Sequence, residues 1–151
     1  MAGDGESPSD SPPIAPLPLM LVFAGRVAQQ QIEEGLLPYQ LTMRHVGALG
    51  HLARRPDLSH SDLARRAGIT AQSMHATVRQ LEELGAVTGG NAGQGRRSRL
   101  EVTPRGRELL AAANAVIEAV EIRLFDGISP SRRDDARRVI ASALAPRSPK
   151  P

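Results

Sequence analysis

The chain has 151 residues, of which 40% are hydrophobic, 2% aromatic and none cysteine, and its formal net charge is +3. The length suits one domain, and a core so poor in aromatic side chains favours helices over a β-sandwich. The lack of cysteine excludes disulfides, zinc–thiolate sites, thiol nucleophiles and cysteine-based redox sensing. The most apolar stretch, residues 14–25, is too short to span a bilayer and is a poor signal peptide, because acidic residues precede it. We therefore expect a cytoplasmic protein without a membrane segment.

The positive charge is concentrated in the middle of the chain. Residues 54–107 contain 10 arginines and 5 acidic residues, whereas the rest of the chain contains 9 basic and 11 acidic residues. This asymmetry indicates a polyanionic partner, with nucleic acid as the leading candidate. The alternative is a basic surface that contacts only solvent.

Two helices are predicted after a disordered tail at residues 1–16, which is rich in Pro, Ser, Gly and Asp. Apolar residues recur at helical spacing over residues 17–34, and Gly35 and Pro38 are predicted to end this first helix. A second helix is predicted over residues 39–54, before Pro56. Its candidate core positions are Leu41, Val46, Leu49 and Leu52.

Two short helices joined by a glycine-containing turn follow. Ser59 or Ser61 is suited to cap the first of them, and Gly68 breaks it. Its predicted buried residues are Leu63, Ala64 and Ala67. Thr70 caps the second helix, which ends before Gly85. This arrangement predicts a helix-turn-helix.

The second of these helices has two distinct faces. At 3.6 residues per turn, an inward face is predicted for Met74, Thr77, Val78 and Leu81. The N-cap, the outward face and its flanks comprise Thr70, Gln72, Ser73, His75, Ala76 and Arg79. In a helix-turn-helix this second helix enters the major groove, where Gln pairs with adenine, Arg with guanine, and Ala contacts the thymine methyl. The alternative is a solvated polar face.

The stretch GGNAGQGRRSR, residues 89–99, connects two predicted strands at residues 86–90 and 99–103 and shares its end residues with them. Glycines followed by arginines suit either a phosphate-binding loop or a hairpin tip laid against nucleic acid. Residues 90–97 nearly fit G-x-x-x-x-G-K-[ST], but arginines replace the lysine and the hydroxyl, and a strand follows instead of a helix. We therefore predict a hairpin that presents Arg96, Arg97 and Arg99 to the minor groove or its phosphates.

Two more helices complete the predicted structure. Thr103-Pro104 starts a long helix that ends near Gly127, and Ser129-Pro130 starts a last helix that ends near residue 144. The residues of the last helix that are predicted to face inward are Ala136, Val139, Ile140 and Ala143. Residues 146–151, PRSPKP, are predicted to be a second disordered tail.

Over residues 18–145 the chain resembles the MarR family of winged-helix regulators. The resemblance is based on LxxLARRPDLSHSDLARRAGIT at 49–70, VRQLEELGAV at 78–87 and LEVTPRGREL at 100–109, in this order of elements. It implies a mainly α fold with a small β-hairpin: a winged helix at about 40–103, flanked by dimerisation helices at about 17–35 and 104–145. Wings in that family often have an Asp-x-Arg near the tip. Here Gln94 or Gly95 occupies the Asp position, so the minor-groove arginine is not identified.

The resemblance also implies a homodimer and a small-molecule effector. Residues 17–27 and 116–125 are rich in apolar side chains, which suit a dimer interface or an intramolecular core equally well. Small anionic or aromatic effectors are expected between the dimerisation helices and the winged helix. Candidate contacts are Arg26, Gln30, Tyr39, Arg44, His45 and His51, although each has a purely structural alternative.

The predicted function is a homodimeric, sequence-specific regulator of transcription, most often a repressor in this family, that binds palindromic double-stranded DNA and is released by an effector. No catalytic residue, metal or cofactor is predicted. The alternatives are an effector-independent or architectural DNA-binding protein and, less well supported, a nucleotide-binding enzyme. His60 and His75 lack metal-ligand partners at helical spacing, and the adjacent Asp134 and Asp135 point to different sides of a helix.

Overall fold

The computed structural model describes residues 15–89 and 99–145. In these residues the α-helices are α1 (Leu17–Leu36), α2 (Met43–Arg54), α3 (His60–Ala67), α4 (Ala71–Glu83), α5 (Pro104–Leu124) and α6 (Pro130–Leu144). A 3-10 turn, Leu37–Tyr39, follows α1, and the strands β1 (Val87–Thr88) and β2 (Glu101–Val102) pair antiparallel with Val87 opposite Val102. Apart from Ala15 and Pro16, the predicted tails lie outside the described residues, as does the hairpin tip with Arg96 and Arg97.

The hydrophobic core lies between α2, α3, α4, the hairpin and the first half of α5. The largest fully buried side chains are Leu36, Leu49, Leu52, Leu63, Met74, Val78, Leu81, Val87 and Leu100. The predicted inward residues of α4 and of the second helix are confirmed, with Val46 only partly buried. The prediction for Ala67 is wrong, because this residue ends α3 and is exposed where the chain turns at Gly68, whose φ is +66°.

Hydroxyl side chains define where α3, α4 and α5 begin. Ser59, not Ser61, caps α3 and accepts a hydrogen bond from the Asp62 amide at 3.2 Å. Thr70 accepts from the Ser73 amide at 3.1 Å, and Thr103 accepts from the Gly106 amide at 2.9 Å. Such caps satisfy helix amides that lack an intrahelical partner, and each contributes about 1 kcal/mol.

The connection between α1 and α2 differs from the prediction. Gly35 lies inside the last turn of α1, where a Cβ atom would overlap the Cγ1 atom of Val116 on α5. This glycine therefore permits close packing of the two helices and does not end the helix. The chain then turns through Gln40 at a φ of +56°, and α2 begins only at Met43, after the N-cap Thr42.

The first half of α1 and almost all of α6 are not covered by the rest of the described chain. Every residue from 17 to 27 is exposed, and within α6 only Arg133 is partly buried. The inward orientation predicted for Ala136, Val139, Ile140 and Ala143 is therefore wrong. Helical periodicity predicts an apolar face but not what covers it. Instead, α6 is held by ion pairs from Arg133 and Arg137 to Glu121 on α5.

None of the helices in residues 15–89 and 99–145 combines the length and the apolar composition that a bilayer crossing requires.

Candidate nucleic-acid interface

Helix α4 is anchored on one side and open on the other. Its buried side, formed by Met74, Thr77, Val78 and Leu81, packs into the core. The opposite side presents Gln72, His75, Ala76 and Arg79 to solvent. The two faces predicted for this helix are thus confirmed. This face therefore presents an amide, an imidazole, a methyl and a guanidinium group side by side on a packed helix. These groups match the hydrogen-bonding and methyl groups of base edges in the major groove.

The N-terminus of α4 is suited to hold a phosphate. The Thr70 side chain accepts from the Ser73 amide and donates to the Ser73 hydroxyl at 2.9 Å. Thr70 and Ser73 therefore define the shape of the helix end. The amides of the first two helical residues have no intrahelical acceptor, and the helix dipole adds partial positive charge at this end.

Arg79 is available to a ligand. Its guanidinium lies 3.9 Å from the Glu83 carboxylate, and the two side chains are 77% and 69% exposed. An ion pair this long and this exposed contributes little stability. Arg79 can therefore exchange Glu83 for an acceptor on a bound partner at small cost.

Two histidines stack across the helix-turn-helix. His60, the first residue of α3, lies with its ring centroid 4.4 Å from that of His75, at an interplanar angle of 20°. Both rings line a surface depression of about 500 Å³ that Gln72, Ala76 and Arg79 also line. Burial lowers the pKa of His60, repulsion from His75 lowers it further, and Glu82 opposes the shift. Spacing along a single helix could not reveal this contact.

The backbone at the base of the hairpin requires a glycine. Gly89 has a φ of +104°, and a Cβ atom there would overlap the carbonyl oxygen of Arg99, so a glycine is required at this position. The Arg99 side chain is exposed, and the next residue, Leu100, is fully buried. Arg99 therefore lies at the base of the predicted wing and not at its tip.

A second cavity separates α1 from the helix-turn-helix. It has a volume of about 570 Å³ and is lined by Gln29, Glu33, Thr42, Met43, Arg44, Ser73, Ala76, Thr77 and Gln80. Residues from α1, the start of α2 and the flank of α4 thus contact one space. We call it the α1–α4 cleft. A molecule bound in it would contact the helix that also presents Arg79.

The predicted effector contacts are only partly brought together. Arg44 lines the α1–α4 cleft, whereas His45 is 5% exposed and has both ring nitrogens occupied. Its Nδ1 atom accepts from the Thr42 amide at 3.1 Å, and its Nε2 atom lies 2.9 Å from Gln80 Oε1. His45 therefore links α2 to α4 as a structural residue.

The other four candidates are not among the described residues that line the cleft. They are Arg26 and Gln30 on α1, Tyr39 in the 3-10 turn and His51 on α2. Burial lowers the pKa of His51, as do the nearby charges of Arg54 and Arg66. The cleft residues that the sequence did not reveal, such as Gln29 and Gln80, come from separate helices with no shared local pattern.

Comparison with known proteins identifies the family. A family model described as "MarR family" matches residues 39–98. The HTH-type transcriptional repressor Rv2887 of Mycobacterium tuberculosis is 32% identical over 127 residues, which cover 83% of this chain and 91% of the repressor. The chain belongs to the MarR family.

Solved structures of this MarR family relative share the fold. The crystal structure of Rv2887 in complex with DNA aligns with a TM-score of 0.75 at 30% identity, covering 87% of this chain and 99% of the other. Its complex with p-aminosalicylic acid aligns with a TM-score of 0.69 at 32% identity, covering 85% and 98%. The predicted fold class, a mainly α winged helix-turn-helix with a small β-hairpin and flanking helices, is confirmed for this MarR family member.

Proposed function

We propose that this MarR family protein is a homodimeric repressor of transcription that binds a palindromic DNA site in the cytoplasm. The observation that supports this most directly is the open face of α4. Its inward side chains are buried in the core, whereas Gln72, Ala76 and Arg79 lie together in solvent on the second helix of a helix-turn-helix. The similar repressor Rv2887 has been crystallised with DNA.

In the proposed complex, α4 lies in the major groove. Gln72, His75, Ala76 and Arg79 contact base edges, while Thr70, Ser73 and the first amides of α4 lie against a backbone phosphate. Arg99 lies at the base of the wing, beside the minor groove. Arg96 and Arg97, which lie outside the described residues, belong to the same proposed contact.

The uncovered helices support dimerisation. In α1 the exposed apolar side chains include Leu19, Val22, Phe23 and Val27, and α6 exposes Val139. Such a large apolar surface requires a partner, because isolated monomers rarely expose extensive apolar patches. A second copy of the chain is the proposed occupant. Two copies of α4 would then reach half-sites about one helical turn apart.

The test is selection of duplexes by the purified protein from a random-sequence library, followed by fluorescence anisotropy. We expect a palindrome that binds at least about 10³-fold more tightly than its scrambled version. Equal affinities would instead indicate an architectural DNA-binding protein. We propose no catalytic activity, and ATP binding that depends on Gly95 and Arg96 would contradict that part of the proposal.

Replacing Arg79 with Ala is expected to weaken binding of the selected palindrome by about 1–3 kcal/mol and to relax specificity at one base pair, because a guanidinium reads guanine with two hydrogen bonds. The measurement is anisotropy with duplexes substituted at each position. Arg105→Ala is the matched control, since Arg105 is an exposed arginine paired with Glu108 at 3.2 Å, but on α5. Equal losses for the two variants would refute base reading by Arg79.

We further propose that the α1–α4 cleft binds a small aromatic acid that releases the DNA. Arg44 supplies a cation for a carboxylate, and Met43 and Ala76 supply apolar contacts. A ligand here contacts α1, α2 and α4 together. It therefore shifts the equilibrium toward any arrangement of these helices that it binds more tightly. The similar repressor Rv2887 has been crystallised with p-aminosalicylic and salicylic acids.

Arg44→Gln is expected to weaken binding of salicylate about tenfold or more, because a hydrogen bond to a charged group contributes roughly 1.5–3 kcal/mol. Isothermal titration calorimetry measures this directly. Arg26→Gln is the control, since Arg26 is exposed on α1 and does not line the cleft. If Arg26→Gln lowers the affinity and Arg44→Gln does not, the ligand lies elsewhere.

A further inference from the structure

We propose that His60 belongs to the DNA-contacting surface, where it fixes the plane of the His75 ring by stacking and takes up one proton when DNA binds. This inference rests on the proposed function. It adds to that function a positioning residue on α3 and a dependence of DNA affinity on pH.

The first step in the argument is geometric. The two imidazole rings are nearly parallel, with centroids 4.4 Å apart, and they connect the N-terminus of α3 to the outward face of α4. His75 is exposed, whereas His60 is partly buried. The better-anchored ring thus restricts the rotamers of the exposed one. A restricted His75 loses less conformational entropy when it contacts a base or a phosphate.

The second step is electrostatic. A positive charge on His75 repels a positive charge on the stacked His60 ring, so the contact disfavours the charged form of His60. Burial and the neighbouring His75 lower the pKa of His60. The charged groups of α4 that line the same depression are Arg79 and Glu82, of which Glu82 acts in the opposite direction. On α3 itself, the Asp62 carboxylate interacts with the Ser59 hydroxyl at 2.7 Å and with Arg65 at 3.4 Å.

The third step is linkage between protons and DNA. Phosphates brought close to His60 favour its charged form, so the pKa of His60 is higher in the complex than in the free protein. Below the pKa of His60 in the free protein both states hold the proton, and above the pKa of His60 in the complex neither does. Between the two values, binding takes up a proton, and affinity falls by up to about tenfold per pH unit as pH rises. Because the free pKa of His60 is lowered, this window begins below its ordinary value of 6.5.

The experiment compares proton uptake and affinity for the palindrome selected by the protein itself. Calorimetry at about pH 6.5 in two buffers of different ionisation enthalpy is expected to show uptake approaching one proton per protomer. His60→Phe keeps an aromatic ring on His75 but cannot titrate, so we expect it to retain affinity above pH 8 and to lose most of the pH dependence. His60→Ala removes the stack as well, and we expect it to lower affinity at every pH. His51→Gln, which removes a histidine outside the pair, is expected to keep the wild-type slope.

Two results would overturn the inference. One is a wild-type protein that binds the palindrome without proton uptake, and the other is a His60→Phe variant with the wild-type slope. A protein that selects no DNA at any pH refutes the proposed function, and with it this inference. The ring pair is also tested without DNA: in an NMR titration, His75→Gln is expected to raise the pKa of His60, and an unchanged value would refute the coupling.

Discussion

Replacing Phe23 with Asp is expected to convert the dimer to a monomer and to weaken binding of the palindrome by roughly 100-fold or more, since a second linked binding module contributes an avidity of that order. Phe23 is 58% exposed in the single chain, within the part of α1 that no other element covers. In the proposed dimer this side chain is buried, and an unpaired carboxylate there costs several kcal/mol. Sedimentation velocity measures the assembly state, and anisotropy measures the affinity.

The exposure of the first half of α1 makes Phe23→Asp a specific test of the dimer interface. Because residues 17–27 contribute nothing to the core of their own chain, the winged helix of the variant should keep its helical circular dichroism. Ala53→Asp adds the same charge at an exposed position of α2, outside the proposed dimerisation helices, and is expected to remain dimeric. A dimeric Phe23→Asp protein with wild-type affinity would show that α1 does not form the interface.

Local sequence rules predicted much of the fold. Thr70 and Thr103 are N-caps because a hydroxyl before a helical pattern satisfies an otherwise unpaired amide, and that effect depends only on near neighbours. The faces of α4 follow from the period of 3.6 residues. The same rule misassigned α6, because Val139 and Ile140 belong to an apolar face at helical spacing. Such a face is expected whether it is buried by the same chain or by another chain. The start of α2 also escaped prediction, because Thr42 and His45 form a capping box that lacks the usual Glu or Gln.

The candidate site was less predictable than the fold. Gln72 and Arg79 could be predicted to share a solvent-exposed face because a single helix places them together. The stack of His60 on His75 depends on how α3 packs against α4, and the position of Arg44 in the cleft depends on how α1 passes both α2 and α4. His45 had the residue type of a ligand contact, but its burial and its bonds to Thr42 and Gln80 give it a structural role. Contacts of this kind have no period along the chain.

The junction between α5 and the hairpin links the proposed DNA-contacting region to the proposed dimerisation helices. The Thr103 amide donates to the Ala86 carbonyl oxygen at 3.0 Å, and the Thr103 hydroxyl donates to the Gly85 carbonyl oxygen at 2.6 Å. These bonds fasten the first turn of α5 to the segment that leads from α4 into β1. The angle between α4 and α5 is thereby restricted, and this angle would determine the spacing of the two α4 helices in a dimer.

Gly106→Ala is expected to lower the free energy of unfolding by about 3 kcal/mol, because overpacking a tight contact forces the backbone to move. A Cβ atom at Gly106 would overlap the Ala86 carbonyl oxygen, which already accepts from Thr103, and would lie 2.8 Å from Val102 Cγ1. Since one neighbour is backbone, no side-chain rotation relieves the overlap. Urea denaturation at a fixed protomer concentration gives the free energy, because the stability of a dimer depends on concentration.

Gly47→Ala is the matched control for this substitution. Gly47 also lies within a helix, but a Cβ atom there meets no atom within 4 Å. The added methyl group is therefore expected to stabilise the protein by about 0.5–1 kcal/mol, because alanine loses less backbone entropy than glycine on entering a helix. The two variants should thus change stability in opposite directions. If Gly106→Ala were as stable as Gly47→Ala, α5 would not be fixed against the hairpin. The conclusion that the angle between α4 and α5 is restricted would then be wrong. If the junction is tight, the destabilised Gly106→Ala protein should also bind the palindrome more weakly, because a displaced α5 alters the spacing of the two α4 helices.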